Sequence, residues 1–175
     1  MKRAHLQKIL LISLFSAVIS ITAMISVPFP IPFTLQTFSI FLALMTLNGK
    51  CGFACVALYI ALGIIGLPVF AGFGAGFGYF FGASGGFVIG FFAAAALYLV
   101  IEKCFGIGKY RKLIYSFICL SITYVIGTLW FSYVYSSDYA FIASLTVCVL
   151  PFIIPDIIKI MLAYYVSERL RKIGF

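Results

Sequence analysis

The fold is decided by residues 83–131, which read ASGGFVIGFFAAAALYLVIEKCFGIGKYRKLIYSFICLSITYVIGTLWF. Two apolar runs, 83–101 and 112–131, lie on either side of a short polar link. Each run approaches the ~20 residues that a helix needs to cross the hydrocarbon core of a bilayer. The pattern predicts two membrane-spanning helices joined by a basic turn, whose charged residues are Glu102, Lys103, Lys109, Arg111 and Lys112.

The composition extends this interpretation to the whole chain. Of the 175 residues, 65% are hydrophobic and 9% are charged, and the mean hydropathy is +1.22. Soluble domains carry about 25% charged residues, and a water-soluble protein could not hide this much apolar surface. The sequence predicts an all-α, polytopic membrane protein with one membrane domain over residues 1–175. Its six expected spans are about 8–27, 33–48, 52–67, 83–101, 112–131 and 150–168.

The basic residues predict the orientation of these spans. Apart from Lys159, every Lys and Arg lies in the N-terminal segment, at Lys50, in the 102–112 link or in the C-terminal tail. The links between these positions hold no basic residue. Under the positive-inside rule the basic segments are cytoplasmic, so both termini are expected inside. Membrane orientation thus accounts for the net charge of +8, and no nucleic acid partner is expected.

The outer half is predicted to carry the function. All six prolines and the glycine-rich segment 66–86 lie in outer links or at the outer ends of spans. Irregular backbone at membrane depth is tolerated only where protein or a cavity covers it. An intramembrane enzyme, the alternative from another class, would need a nucleophile–base pair or a metal cluster. The one histidine, His5, lies in the basic N-terminal segment and the cysteines form no CxxC pair, so neither catalytic residues, a metal nor a cofactor is expected.

Small residues recur at intervals of four in two regions. Over 82–94 the spacing predicts a helix groove where another helix packs closely. Over 70–82 additional glycines argue against a continuous helix, and we expect a loop whose backbone approaches a ligand. In the first span such pairs favour close helix contact, either with the protein's own helices or with another chain. The spaced residues are Gly74, Gly78, Gly82, Gly86, Gly90 and Ala94 within 70–94, and the pairs Ser13–Ala17 and Ser16–Ser20 in the first span.

Two charges interrupt the last span. Asp156 and Lys159 are three residues apart and therefore share one helix face. Counting back from Glu168 at ~1.5 Å per residue puts Lys159 near the bilayer midplane. Charges there cost at least ~2.5–3.5 kcal/mol each and usually face a cavity or each other. The pair is interpreted as a structural ion pair, a binding site for a polar solute or a proton relay. A proton relay would need more than one titratable carboxylate in the spans, and they offer a single one.

Pro155 precedes Asp156 directly. A proline suits the first turn of a helix, and an aspartate in that turn meets the helix dipole favourably. We therefore expect Asp156 in the first turn of the last helix.

A second polar cluster opens the second span. Thr34, Gln36 and Thr37 follow three prolines. Gln36 both donates and accepts hydrogen bonds, which suits an amide or ureido ligand; bonding to the local backbone is equally open. Interface belts explain most aromatic residues near the outer links, and a few could wall an apolar pocket. These aromatic residues are Phe70, Phe73, Phe77, Tyr79, Trp130 and Tyr133.

Three segments together resemble the BioY family, the biotin-capturing S components of energy-coupling-factor (ECF) vitamin transporters. They read PFPIPFTLQTF (28–38), ALGIIGLPVFAGFGAGFGYFFGASGGFVIGF (61–91) and PFIIPDIIKIMLA (151–163). The resemblance implies a six-helix subunit of the prokaryotic plasma membrane that binds biotin tightly from outside and has no catalytic activity. It would deliver biotin by docking with a transmembrane coupling (T) component and two ATP-binding-cassette ATPases, which hydrolyse the ATP.

The resemblance also suggests which residues act. Asp156 is expected to take a ureido N–H of biotin and Lys159 its carboxylate, although Lys159 merely neutralising Asp156 stays open. Thiamin or riboflavin capture, or a stand-alone biotin transporter, are the alternatives. The expected ligand-binding residues are Asp156, Lys159, Gln36, Thr34, Phe33, Phe73, Gly74, Tyr79, Ser84 and Gly85. The expected docking residues are Ser13, Ser16, Ala17 and Ser20; family members usually carry alanines where this chain has Ser16 and Ser20.

Overall fold

The computed structural model describes residues 2–28, 31–135 and 141–173. Five long helices and one short helix make up most of that part of the chain: α1 (Lys2–Met24), α2 (Gln36–Ile64), α3 (Gly85–Phe105), α4 (Lys109–Val134), α5 (Phe141–Cys148) and α6 (Leu150–Lys172). Two short strands, β1 (Ser26–Val27) and β2 (Phe33–Thr34), pair antiparallel around the proline-rich link. Two 3₁₀ turns, Ala71–Phe73 and Phe77–Phe81, form the glycine-rich link.

The all-helical, membrane-spanning fold is confirmed. Within the described ranges, five helical stretches are long and apolar enough to cross a membrane: His5–Met24, Gln36–Ile64, Gly85–Phe105, Lys109–Val134 and Ile142–Lys172. The predicted second and third spans, 33–48 and 52–67, both overlap α2 and extend three residues beyond it at either end. The six-span count stays a prediction. The short helix α5 lies in the 132–149 link, for which no element was predicted.

Helix α2 is broken at Asn48. This residue has φ 68° and ψ 165°, outside the helical region. A Cβ atom at Gly52 would lie 2.8 Å from the Cα of Leu44, although residues eight apart on a straight helix are about 12 Å apart. The two halves of α2, 36–47 and 49–64, therefore fold back on one another as a hairpin.

Two charged side chains from other helices hold the turn of this hairpin. The Nζ of Lys112 on α4 donates to the carbonyl oxygen of Met45 at 2.5 Å. The N–H of Gly49 donates to the Oε1 of Glu102 on α3 at 2.9 Å. A cation thus meets the C-terminal end of the first half and an anion the N-terminal end of the second, which are the signs that the two helix dipoles favour.

The core is centred on α2, which packs against α1, α3 and α6, while α3 packs along α4. Its largest fully buried side chains include Tyr59, Tyr98 and Phe41. A second apolar cluster of Ile31, Phe131, Cys148 and Phe152 joins the proline-rich link to α4, α5 and α6. This second cluster lies next to the cavity described below, because Ile31, Cys148 and Phe152 also line it.

The glycine series divides as predicted into a packing half and a loop half. On α3, a Cβ at Gly86 would collide with the Trp130 side chain of α4, and one at Gly90 would lie 3.0 Å from the Cα and the carbonyl oxygen of Thr123. Ala94 is fully buried. Before α3 the chain forms the two 3₁₀ turns rather than a helix. The groove over 86–94 is therefore a contact between helices of one chain.

We expect Gly90→Leu to destabilise the protein by about 1–3 kcal/mol, the usual cost of overpacking, because the backbone of Thr123 cannot move aside. The measurement is thermal unfolding of the detergent-purified protein. Gly78→Leu is the matched control from the same series, since a Cβ there meets nothing within 4 Å. Equal losses of stability in the two variants would contradict the packing role of Gly90.

Candidate ligand-binding site

A cavity opens among the start of α2, the glycine-rich link, α3, α4 and α6, on the side that the charge pattern predicts to face outward. Its empty volume, including the open solvent at its mouth, is about 570 Å³. Apolar and aromatic side chains form most of the wall. The lining residues are Ile31, Pro32, Thr34, Gln36, Thr37, Ala71, Tyr79, Ser84, Phe87, Val88, Phe91, Leu120, Thr123, Tyr124, Cys148, Phe152, Asp156 and Lys159.

Asp156 and Lys159 form an ion pair in the cavity wall. The Nζ of Lys159 donates to the Oδ1 of Asp156 at 2.8 Å, and the Oη of Tyr124 donates to Oδ2 at 2.7 Å. The ammonium also lies 3.9 Å from the centroid of the Phe33 ring, a cation–π contact. The two residues are only 4% and 6% exposed, so the pair is both internally satisfied and adjacent to the cavity.

The position of Asp156 on its helix differs from the prediction. Helix α6 begins at Leu150, with Pro151 in its first turn and Pro155 inside the helix. Asp156 therefore lies in the second turn, where the helix dipole contributes little because its effect falls off within the first turn. The carboxylate is held instead by Lys159 and Tyr124.

Gln36 and Tyr79, two other residues of the cavity wall, are backed by buried aromatic rings. The Nε2 of Gln36 donates to the Oη of Tyr59 at 3.1 Å, which orients the amide at the start of α2. The ring of Phe70 meets Tyr59 edge-on at 5.6 Å and stacks on Tyr79 at 4.7 Å. Burial raises the pKa of Tyr79, so its phenol is neutral. This part of the wall offers hydrogen bonds and flat apolar surface without a charge.

Six of the ten residues predicted to bind ligand line the cavity: Asp156, Lys159, Gln36, Thr34, Tyr79 and Ser84. A seventh, Phe33, contacts the Lys159 ammonium. The structure does not bring the other three to the wall. Phe73 is 64% exposed, Gly74 lies under the Tyr79 ring, and Gly85 packs on the backbone of Phe80.

Several lining residues were not anticipated from the sequence: Thr123 and Tyr124 on α4, Phe87 and Phe91 on α3, and Phe152 on α6. The available signal was a cluster of hydroxyl groups, Thr123, Tyr124 and Thr128, in the outer half of an apolar run. Nothing in the sequence pairs Tyr124 with Asp156, which is 32 residues away. Among the described side chains no group of three His, Cys, Asp or Glu comes together, so no metal ligands can be named.

We expect Tyr124→Phe to weaken binding of the cavity's ligand by about 10-fold or more. The variant loses a hydrogen bond to a charged group, worth about 1.5–3 kcal/mol, and the carboxylate loses its orientation. The measurement is ligand titration of the purified protein. Tyr165→Phe is the control, because the Oη of Tyr165 accepts hydrogen bonds from Arg169 at the other end of α6. An unchanged affinity in Tyr124→Phe would show that Tyr124 does not position Asp156 for the ligand.

The small residues of α1 point in two directions. Ser16 is 1% exposed, and its Oγ donates to the carbonyl oxygen of Cys55 on α2 at 3.0 Å. Ser20 is also buried and donates to the carbonyl oxygen of Ser16. These two residues pack within the chain, so the docking prediction is corrected for them. Ser13 and Ala17 are exposed and are the pair that stays available to a partner.

Comparison with known proteins gives consistent matches along the chain. The model of the BioY family matches residues 1–174. The chain is 39% identical to a probable biotin transporter BioY of Pyrococcus horikoshii, over 94% of this chain and 96% of that protein. It is 36% identical to the biotin transporter BioY of Thermotoga maritima, over 91% and 93%.

A solved structure adds agreement in three dimensions. The crystal structure of the S-component for biotin from an ECF-type ABC transporter matches with a TM-score of 0.87 and 28% identity. The match covers 98% of this chain and 94% of that chain. Family, relatives and fold agree over nearly the whole length: the chain belongs to the BioY family.

Proposed function

We propose that this protein is the biotin-binding membrane subunit of an ECF-type vitamin transporter of the prokaryotic plasma membrane. The observation that carries the proposal is the cavity. It combines one buried carboxylate, one buried ammonium, an oriented amide and aromatic walls in a chain of this family. Biotin has an apolar bicycle, a ureido group with two donors and one acceptor, and a carboxylate tail, so its groups have matching partners.

The ion pair sets a condition on how biotin binds. The ureido and carboxylate groups of biotin are separated by its bicycle and valerate chain, whereas Asp156 and Lys159 are 2.8 Å apart. Both cannot meet opposite ends of biotin while they bond each other. We propose that the flexible Lys159 side chain turns from Asp156 to the ligand carboxylate. A ureido N–H then replaces it at Asp156, which keeps its bond from Tyr124.

Delivery to the cytoplasm is proposed to follow the ECF scheme. A transmembrane T component and two ATPases would supply the energy, and the exposed Ser13–Ala17 face of α1 is the proposed docking contact. Small residues let two helix backbones approach closely in lipid. The proposed arrangement has six crossings, with the two halves of α2 as the second and third and both termini in the cytoplasm, as the basic links indicate.

Calorimetric titration of biotin into the detergent-purified protein tests the proposal, with thiamin and riboflavin as controls. Tight one-to-one binding of biotin alone is expected. No binding to folded protein shown to be free of biotin would refute the proposal, and binding of thiamin or riboflavin would assign another vitamin. Uptake by cells without any coupling ATPase would favour a stand-alone biotin transporter instead.

A further inference from the structure

A second depression lies at the opposite end of the helices from the biotin cavity, between the end of α3 and the start of α4. It is an open groove with an empty volume of about 700 Å³, lined by Ile101, Phe105, Arg111, Tyr115 and Ile118. Four of these five residues are apolar or aromatic, and the fifth is a cation. From this geometry we propose that the groove binds one anionic phospholipid, with an acyl chain along the apolar wall and the phosphate at Arg111.

The cationic end of the groove is held in place by the chain around it. The Nη1 of Arg111 donates to the carbonyl oxygen of Phe105, and the Oη of Tyr115 donates to that of Gly106 at 3.1 Å. Arg111 lies back against Gly108, where a Cβ would be 3.2 Å from its Cδ. A guanidinium has five donors in a fixed fork, so the bond to Phe105 leaves others for a phosphate.

The charge around this end favours an anion. Lys103 and Lys109 belong to the same basic turn between α3 and α4 and are exposed, as Arg111 is. The nearby Glu102 accepts the N–H of Gly49, and Lys112 is buried on the carbonyl oxygen of Met45, so both are used inside the fold. Arg111 is therefore the cation that lines the groove, and two further exposed cations lie in the same turn. Each basic residue near an anionic membrane surface contributes about 1 kcal/mol of attraction.

The apolar length of the groove selects a lipid rather than a free phosphate. Phe105 is 67% and Ile118 is 44% exposed, and both lie in helices that are long and apolar enough to cross the membrane. A wall of this kind meets acyl chains, and the cations lie where α3 and α4 leave the predicted membrane region, at headgroup height. The inference depends on membrane location and does not depend on which vitamin the outer cavity binds.

Native mass spectrometry of the detergent-purified protein tests this, with phosphatidylglycerol and phosphatidylcholine added in equal amounts. We expect the protein to retain one phosphatidylglycerol in preference to phosphatidylcholine, and Arg111→Gln to reduce that preference by about 5-fold or more. Arg169→Gln is the matched control. Arg169 is an exposed arginine on the same predicted side, and it bonds to Tyr165 away from the groove.

Two further experiments distinguish lipid binding in the groove from attraction by diffuse surface charge. Ile118→Trp fills the groove while keeping every cation, and it should lose the retained lipid with an unchanged unfolding temperature. Inorganic phosphate should neither stabilise the protein nor displace the lipid. Equal retention of the two lipids by the unmodified protein, equal losses in Arg111→Gln and Arg169→Gln, full retention by Ile118→Trp, or displacement by phosphate would each overturn the proposal.

Discussion

Replacing Asp156 by asparagine is expected to lower the affinity for biotin by about 10-fold to 100-fold. The change removes the negative acceptor of the proposed ureido contact, a carboxylate on a residue that is only 4% exposed. A hydrogen bond to a charged group contributes about 1.5–3 kcal/mol, and every 1.4 kcal/mol corresponds to about tenfold in affinity. Titration with biotin and with biotin amide, which lacks the carboxylate, should show similar losses for both ligands.

The chain offers a matched control for this variant. Glu168 and Arg171 form another ion pair at the same spacing on α6, at 3.5 Å and partly exposed. Exposed pairs contribute little, so Glu168→Gln should leave biotin binding unchanged. If Asp156→Asn bound biotin as tightly as the unmodified protein, the ion pair would be structural only, and the cavity would have to recognise its ligand through Gln36 and the aromatic residues of its wall.

Replacing Lys159 by methionine is expected to abolish the preference for biotin over biotin amide. In the proposed complex the ammonium pairs with the ligand carboxylate, a charge-assisted contact worth several kcal/mol in a buried site. The amide does not use that charge, so its affinity should change far less. The measurement is the ratio of the two affinities within one variant. Both affinities are measured on the same variant. Any loss of stability from leaving Asp156 bonded to Tyr124 alone therefore affects both and cancels in the ratio.

Lys172→Met is the control for lost positive charge, because Lys172 is exposed at the far end of α6. It should leave both affinities unchanged. Equal losses for biotin and its amide in Lys159→Met would contradict the carboxylate assignment. Lys159 would then act by neutralising Asp156, which is the arrangement that the structure already contains.

Local sequence patterns predicted the features that depend on composition and spacing. Apolar length predicted the long helices, additional glycines predicted the irregular link, and the three-residue spacing predicted that Asp156 and Lys159 share one helix face. Which side of a helix turns inward was harder to predict. The Ser13–Ala17 and Ser16–Ser20 pairs on α1 are displaced by only about 60° at 3.6 residues per turn. Only packing on α2 distinguishes the buried pair from the exposed one.

Features that depend on contacts between residues far apart in the chain could not be predicted from the sequence. Tyr124 belongs to the site because α4 packs against α6 next to Asp156. The first-turn prediction for Asp156 failed because Pro151 as well as Pro155 suits a helix start, and the helix uses the earlier one. The short helix α5 adds apolar contacts through Cys148 to the cluster beside the cavity. A single sequence does not reveal such packing.

The break at Asn48 has a consequence for how the protein enters the membrane during synthesis. The halves of α2 are about 18 Å and 24 Å long at 1.5 Å per residue, against about 30 Å of hydrocarbon. Neither half is a good insertion signal alone, so we expect the translocon to accept both together as a hairpin. Glu102 and Lys112, which cap its turn, are synthesised 53 and 67 residues after the groups that they contact. The hairpin therefore reaches its final form only after α3 and the start of α4 have left the ribosome.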